Sequence, residues 1–332
     1  MGRKLTLRVL VGVSLLLVLA LAVPSMTACG GGKDYKIGLT QFATHEAADA
    51  GREGFVKALA DAGFGSDKVD YDYQNPEGDE SVMYTIAHNF VNEKVDLIFS
   101  FGTGISLQCI NAAEGTDIPV LFCAVTDPIG SELISSWTHP GENVTGTSDM
   151  IEVGSDVELI LEIVPGVTKL GTLYNAGEPN SVALTSQLRE VCETKNITLV
   201  EKTVSTSADV LTAAQALAQA DVQAIWIGTD NTVVSGLEAV IGVCEDEKIP
   251  FFPSDDPSIK KGGIACLGFD YYDVGYQTGQ MAVKILKGTP ATDIPAELGK
   301  TFSYTVNTAA AERYGVTIPQ AILDEATTIY TE

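Results

Sequence analysis

Three carboxylates, Glu178, Asp230 and Asp255, sit in the short polar stretches NAGEPNS, GTDN and SDDP, each directly behind an apolar run. Matching polar stretches follow apolar runs in the first half of the chain. Together these loops offer Gln41, Thr103, Thr126 and Asp127 from the first half, and Tyr174, Glu178, Asn180, Ser181, Asp230, Asn231 and Asp255 from the second. They are hydroxyls, amides and carboxylates, with no Arg or Lys among them. A phosphate or dicarboxylate site normally recruits Arg forks. A single carboxylate needs only main-chain N–H groups at helix N-termini, and TGIS and NSVAL both open helices. The three acids are then free to meet an ammonium, so a zwitterionic amino acid suits both halves of the set. Any one of these residues is equally a helix cap or a turn former. The bias across nearly every such loop is what points to a ligand.

Catalytic signatures are missing. FGTGISL starts like a dinucleotide fingerprint but has Leu107 where the third glycine belongs, and no P-loop G-K-[ST] occurs. There is no G-x-S-x-G elbow. His45, His88 and His139 are scattered without metal spacing, and the cysteines form no C-x-x-C pair. No enzyme activity, cofactor or metal is expected. His45 alone lies near a strand end, where it can edge the site.

Positioning such loops requires strands that alternate with helices. YKIGLTQ, KVDYDYQN, VDLIFSF and IPVLFCAV read as strands, separated by amphipathic helical stretches. Runs such as DLIFSF lack polar alternation, as strands of parallel sheets covered on both faces do. The second half repeats the scheme with KLGTLYN, ITLVEKTV, VQAIWIG and IPFFPSD, and NTVVSGLEAVIGVCEDEK reads as one helix. The pairs KIGL/KLGT, VDLI/VQAI and IPVL/IPFF recur at offsets of 133, 127 and 131 residues. Two similar Rossmann-like α/β lobes with parallel sheets follow, with ligand expected beyond the carboxyl ends of the strands. PGENVTGTSD carries the chain from one lobe to the other.

Ahead of the lobes, Arg3, Lys4 and Arg8 precede an apolar run of 15 residues, 9–23, which is signal-peptide length and short of the ~20 residues of a spanning helix. Met26-Thr27-Ala28 before Cys29 resembles a bacterial lipobox, with Met26 where Leu is usual. Residues 1–28 are thus expected to be a lipoprotein signal peptide, Cys29 the lipid attachment site, and residues 29–34 a flexible glycine-rich tether. Without residues 1–28, 17 Lys+Arg face 44 Asp+Glu. So acidic a surface repels nucleic acid and anionic headgroups, which leaves the lipid as the only membrane contact. Cys109, Cys123, Cys192, Cys244 and Cys266 stand in apolar surroundings and read as small buried hydrophobes.

The stretches IGLTQF, AVTDPIG, GENVTGTSDM, LYNAGEPNS, GTDNTV and GFDYYDVGYQTGQMAVKILKG, in this order, resemble the ABC-transporter substrate-binding lipoproteins of the type 1 periplasmic-binding-protein fold. Within these, the resemblance is to the subgroup for tryptophan and other aromatic amino acids. It implies two lobes joined by a three-segment hinge that closes on ligand, and a monomer docking on an ABC permease at the outer face of the membrane. It further implies lobe one from residues 35–147 plus 271–300 and lobe two from 148–270 plus 301–332. Phe42, Phe101 and Tyr271 become candidates to sandwich a ring. A sugar or nucleoside ligand, or a sensor feeding a membrane signalling protein, are the alternatives the fold leaves open.

Overall fold

The computed structural model describes residues 33–332, so Cys29 and the signal segment lie outside it. Among the described residues no helix is long and apolar enough to cross a membrane. The first half runs β1 (Tyr35–Gln41), α1 (Glu46–Asp61), β2 (Val69–Gln74), α2 (Glu80–Asn92), β3 (Leu97–Phe101), α3 (Thr103–Ala113), β4 (Val120–Cys123) and β5 (Val144–Ser148). The second continues with α4 (Val153–Ile163), β6 (Lys169–Asn175), α5 (Pro179–Thr194), β7 (Thr198–Val204), α6 (Val210–Ala218), β8 (Ala224–Ile227), α7 (Asn231–Ser235), α8 (Leu237–Glu247) and β9 (Phe251–Pro253). The chain ends with α9 (Asp256–Lys261), β10 (Ala265–Phe269), α10 (Tyr271–Leu286), β11 (Glu297–Leu298), β12 (Phe302–Asn307), α11 (Thr308–Tyr314), α12 (Gln320–Glu325) and β13 (Thr328–Tyr330).

Two parallel sheets form the lobes. One has the order β11-β5-β4-β3-β1-β2 and the other β7-β6-β8-β9. Strands β3, β4 and β8 are buried along their whole length, as unbroken apolar runs require when helices cover both faces. A third sheet, β10-β12-β13, pairs β10 antiparallel with β12 and β12 parallel with β13. The chain passes between the first sheet and the other two after β5, between β10 and α10, and between β11 and β12.

Helix α10 returns to the first lobe and packs on α1, the most extensive helix pair in the molecule. Glycines allow the approach: a Cβ on Gly275 would collide with the carbonyl of Gly51, and one on Gly54 with that of Tyr272. The stretch NTVVSGLEAVIGVCEDEK is two helices rather than one, breaking at Gly236, whose Cβ would lie 3.0 Å from the Ser207 carbonyl oxygen. The N-terminus of the short α7 is held by the Glu178 carboxylate. The five cysteines of the described residues are buried free thiols, and burial pushes Cys123 up to about 12.

Candidate functional site

The carboxyl ends of the strands of both parallel sheets meet around one cavity, whose roughly 360 Å³ of empty space includes some open to solvent. From the first lobe come His45, Phe101, Thr126 and Asp149, with Tyr271 from the start of α10; from the second come Asn180, Thr229, Asp230, Asn231 and Asp255. Ala47, Ala124 and Val234 fill the remainder, and no Lys or Arg lines the space.

One wall is aromatic. The Phe101 ring, at the end of β3, lies 5.8 Å from that of Tyr271 and 6.1 Å from that of His45, both inclined steeply. Edge-to-face arrays of this kind present ring faces and edges for a further aromatic group. The Tyr271 hydroxyl donates to Asp149 Oδ2 at 2.8 Å, while Thr126 Oγ1 donates to Asp149 Oδ1 at 3.0 Å. Burial raises the Asp149 pKa, and those two donors oppose the rise.

His45 caps α1. Its Nδ1 accepts from Ala48 N at 3.2 Å, so the ring proton of the neutral imidazole sits on Nε2, which faces Asn231 Oδ1 at 3.2 Å. Burial lowers the His45 pKa and favours this neutral form, against the smaller opposing pulls of the Asn231 hydrogen bond and the Glu178 and Asp49 charges. The His45–Asn231 bond crosses the cleft, as do the Thr126–Thr229 hydroxyl pair at 3.1 Å and the Lys261–Glu46 ion pair at 3.5 Å. The lobes are closed on each other.

The three acids named from sequence have different surroundings. Glu178 does not line the cavity: its carboxylate accepts from Asn231 N and Nδ2 at 3.1 and 2.7 Å and from Thr232 N and Oγ1 at 2.9 and 2.7 Å. It is consumed by the N-terminus of α7. Asp230 lines the cavity with both oxygens engaged, by Val233 N at 2.8 Å and Asn175 N at 2.6 Å. Its pKa is raised by burial and by the neighbouring Glu178 charge. Asp255 caps α9 through one oxygen, accepting from Ser258 N at 2.9 Å. Its Oδ2 is buried without a hydrogen-bond partner, and burial pushes the group up to about 6, opposed by Ser258 and, more weakly, by the Lys261 charge. Asn180 also keeps an unpartnered buried oxygen, Oδ1, while its Nδ2 donates to Thr229 O at 2.8 Å.

Thr126, Asn180, Asp230, Asn231, Asp255 and Tyr271 are thus brought together around the cavity with Phe101 and His45, whereas Gln41, Phe42, Thr103, Asp127, Tyr174, Glu178 and Ser181 have tasks elsewhere. Gln41 ties Ala43 O to Asp49 and Arg52 beneath β1. Phe42 packs in the core against Met83 and Ile86 and over Gly104. Thr103 is buried in the first turn of α3, Asp127 closes a turn onto Gly130 N at 2.8 Å, and the Tyr174 hydroxyl accepts from Arg189 at 3.0 Å. Ser181 is buried behind the wall and helps to hold Asp230. Asp149 is the cavity acid absent from the sequence candidates. It follows β5, whose sequence VTGTS is too polar to read as a buried strand, although all five of its residues are buried. Among the described residues no group of three His, Cys, Asp or Glu side chains is placed to hold a metal ion.

Residues 36–330 match the family model described as ABC transporter substrate binding protein. The chain is 36% identical over 264 residues to a tyrosine-binding protein of Clostridioides difficile, covering 79% of this chain and 76% of that one. A Streptococcus pneumoniae ABC domain crystallised with L-Trp superposes with a TM-score of 0.85 at 33% identity, covering 90% of this chain and all of that one. The ligand-free, open form of a substrate-binding protein with adhesive properties from Clostridium difficile gives 0.66 at 34% identity, again over 90% and 100% of the two chains. At equal sequence similarity, the better fit to the liganded structure agrees with the bonds that cross the cleft here.

Proposed function

The chain belongs to the ABC transporter substrate-binding proteins, and we propose that the solute it captures is a free aromatic L-amino acid. Members of this family are receptors and not enzymes: they work outside the cytoplasm, hold a small molecule between two lobes and deliver it to an ABC permease. Asp255 carries the ligand reading. Its unpartnered Oδ2, buried in a cavity with no protein cation, calls for a positive group supplied by the ligand. An ammonium there leaves the ring of the ligand to the wall of His45, Phe101 and Tyr271. The named ligands of two relatives, tyrosine and tryptophan, support the same class.

In this reading the receptor is a monomer held at the outer face of the membrane by a lipid on Cys29. Its lobes are residues 35–147 plus 271–300 and 148–270 plus 301–332. Mass spectrometry of whatever small molecule denaturation releases from the purified protein, followed by calorimetry with the stripped protein, tests the ligand. Recovery of an aromatic amino acid is expected; recovery of a sugar or a nucleoside, with no heat from amino acids, refutes it.

A further inference from the structure

Closure gathers three carboxylates around one cavity. Asp149 follows β5 of the first sheet, while Asp230 and Asp255 stand beyond β8 and β9 of the second. All three line the cavity, each is at most 3% exposed, and no Lys or Arg joins them there. The donors they accept from are neutral: the Tyr271 and Thr126 hydroxyls on Asp149, Val233 N and Asn175 N on Asp230, and Ser258 N on Asp255. Asp255 Oδ2 has no hydrogen-bond partner.

The titratable neighbours do not balance this set. Asp255 feels Asp256 and Lys261 of α9, Tyr271 of α10 and Cys266 of β10, while Asp156 of α4 is bound to the adjacent Ser254. His45 of α1 shares the cavity as a neutral imidazole. Asp230 faces Glu178, and Asp149 faces Tyr271 and Cys123. Lys261 is the only cation among these groups, and its Nζ lies 3.5 Å from Glu46 across the cleft. In an open cleft water solvates each carboxylate. Closing withdraws that water, and buried charges of one sign without a counter-charge are strongly unfavourable. We propose that this acid cluster holds the unloaded receptor open, and that closure requires a positive charge delivered to Asp255, by a ligand ammonium or by a proton. The proposal rests on the amino-acid reading only in that the ligand carries an ammonium. Burial is the largest cause of the raised pKa of all three acids, in agreement with a cost that falls on the closed form. The closed shape then reports a loaded site.

Small-angle scattering of protein stripped of ligand by denaturation and refolding tests this with no ligand present. Wild type should be open at pH 7 and contract at pH 5, its closed-to-open ratio rising at least ~10-fold. Asp255→Asn, which keeps an oxygen for Ser258 N, should show the contraction already at pH 7. Salt separates the buried cluster from the acidic surface, because about 0.5 M NaCl screens exposed charges and leaves buried ones nearly untouched. It should not close the stripped wild type at pH 7. Failure of either contraction, a stripped wild type already closed at pH 7, or closure by salt alone overturns the proposal. If Asp255→Asn does not fold, as circular dichroism would show, the pH and salt arms on the wild type decide. A receptor that passes these arms but gives no heat with aromatic amino acids refutes the ligand reading alone.

Discussion

Asp255→Asn is expected to move stability and affinity in opposite directions. Burial lifts the Asp255 carboxyl from its ordinary value near 4 to about 6, which costs the folded, ligand-free protein ~3 kcal/mol at pH 7 and above. Asparagine keeps an oxygen for Ser258 N and so preserves the cap of α9, while removing the charge. The stripped variant should therefore be more stable than the stripped wild type at pH 7, by up to ~3 kcal/mol. Ligand binding should weaken ~10²- to 10³-fold, since the ammonium loses its buried partner at a cost of about 3–5 kcal/mol. The pH dependence has a definite sign. A group whose folded pKa is raised stabilises fully below its unfolded pKa and loses that contribution as pH rises through the folded value. Stripped wild type should thus be more stable at pH 5 than at pH 7, and Asp255→Asn should flatten that difference. Asp156, also pushed to about 6 by burial, and Asp230 and Asp149, raised in the same direction, supply the slope that remains. Denaturant unfolding at both pH values, paired with calorimetry, measures every term. A stripped Asp255→Asn that is less stable than wild type at pH 7, or that binds aromatic amino acids within fivefold of wild type, refutes the reasoning.

For the cross-cleft bond, His45→Ala and Asn231→Ala should each speed ligand release, and their double-mutant cycle should show coupling of about 1 kcal/mol; strict additivity would mean the bond does not hold the closed state. Gly275→Ala should destabilise the fold by ~1–3 kcal/mol through overpacking against Gly51, with ligand preference unchanged, and an unaltered melting temperature would contradict the packing described here. Cys29→Ser should leave the protein in the soluble fraction, and its persistence in carbonate-washed membranes would argue against lipidation.

The parallel strands were legible because burial on both faces leaves an unbroken apolar run, as in LIFSF and AIWI. The same logic failed for β5, where threonines and serine are buried in VTGTS, and Asp149 behind it went unread. The polar character of the strand-end loops, including the lack of Lys and Arg, was plain from sequence. Which acid faces the cavity was not. Glu178, Asp230 and Asp255 have the same chemistry and comparable loops, and they differ only in how many N–H groups the fold brings to each carboxylate. That count depends on contacts more than 50 residues apart in sequence, such as Asn175 N on Asp230.

The return of α10 and β11 to the first sheet also sets an order of events in time. Strands β6 to β9 occupy one continuous stretch, so their sheet has all its parts once residue 253 has been made. The first sheet, begun by β1, waits for β11 at its edge, and the glycine-lined face of α1 waits for α10. Closing that gap joins residues more than 200 positions apart, a slow step for a polymer. A chain synthesised from its N-terminus thus cannot finish the lobe that it starts first until residue 298 has been made, and Tyr271 reaches the ligand wall only after all four strands of the second parallel sheet exist.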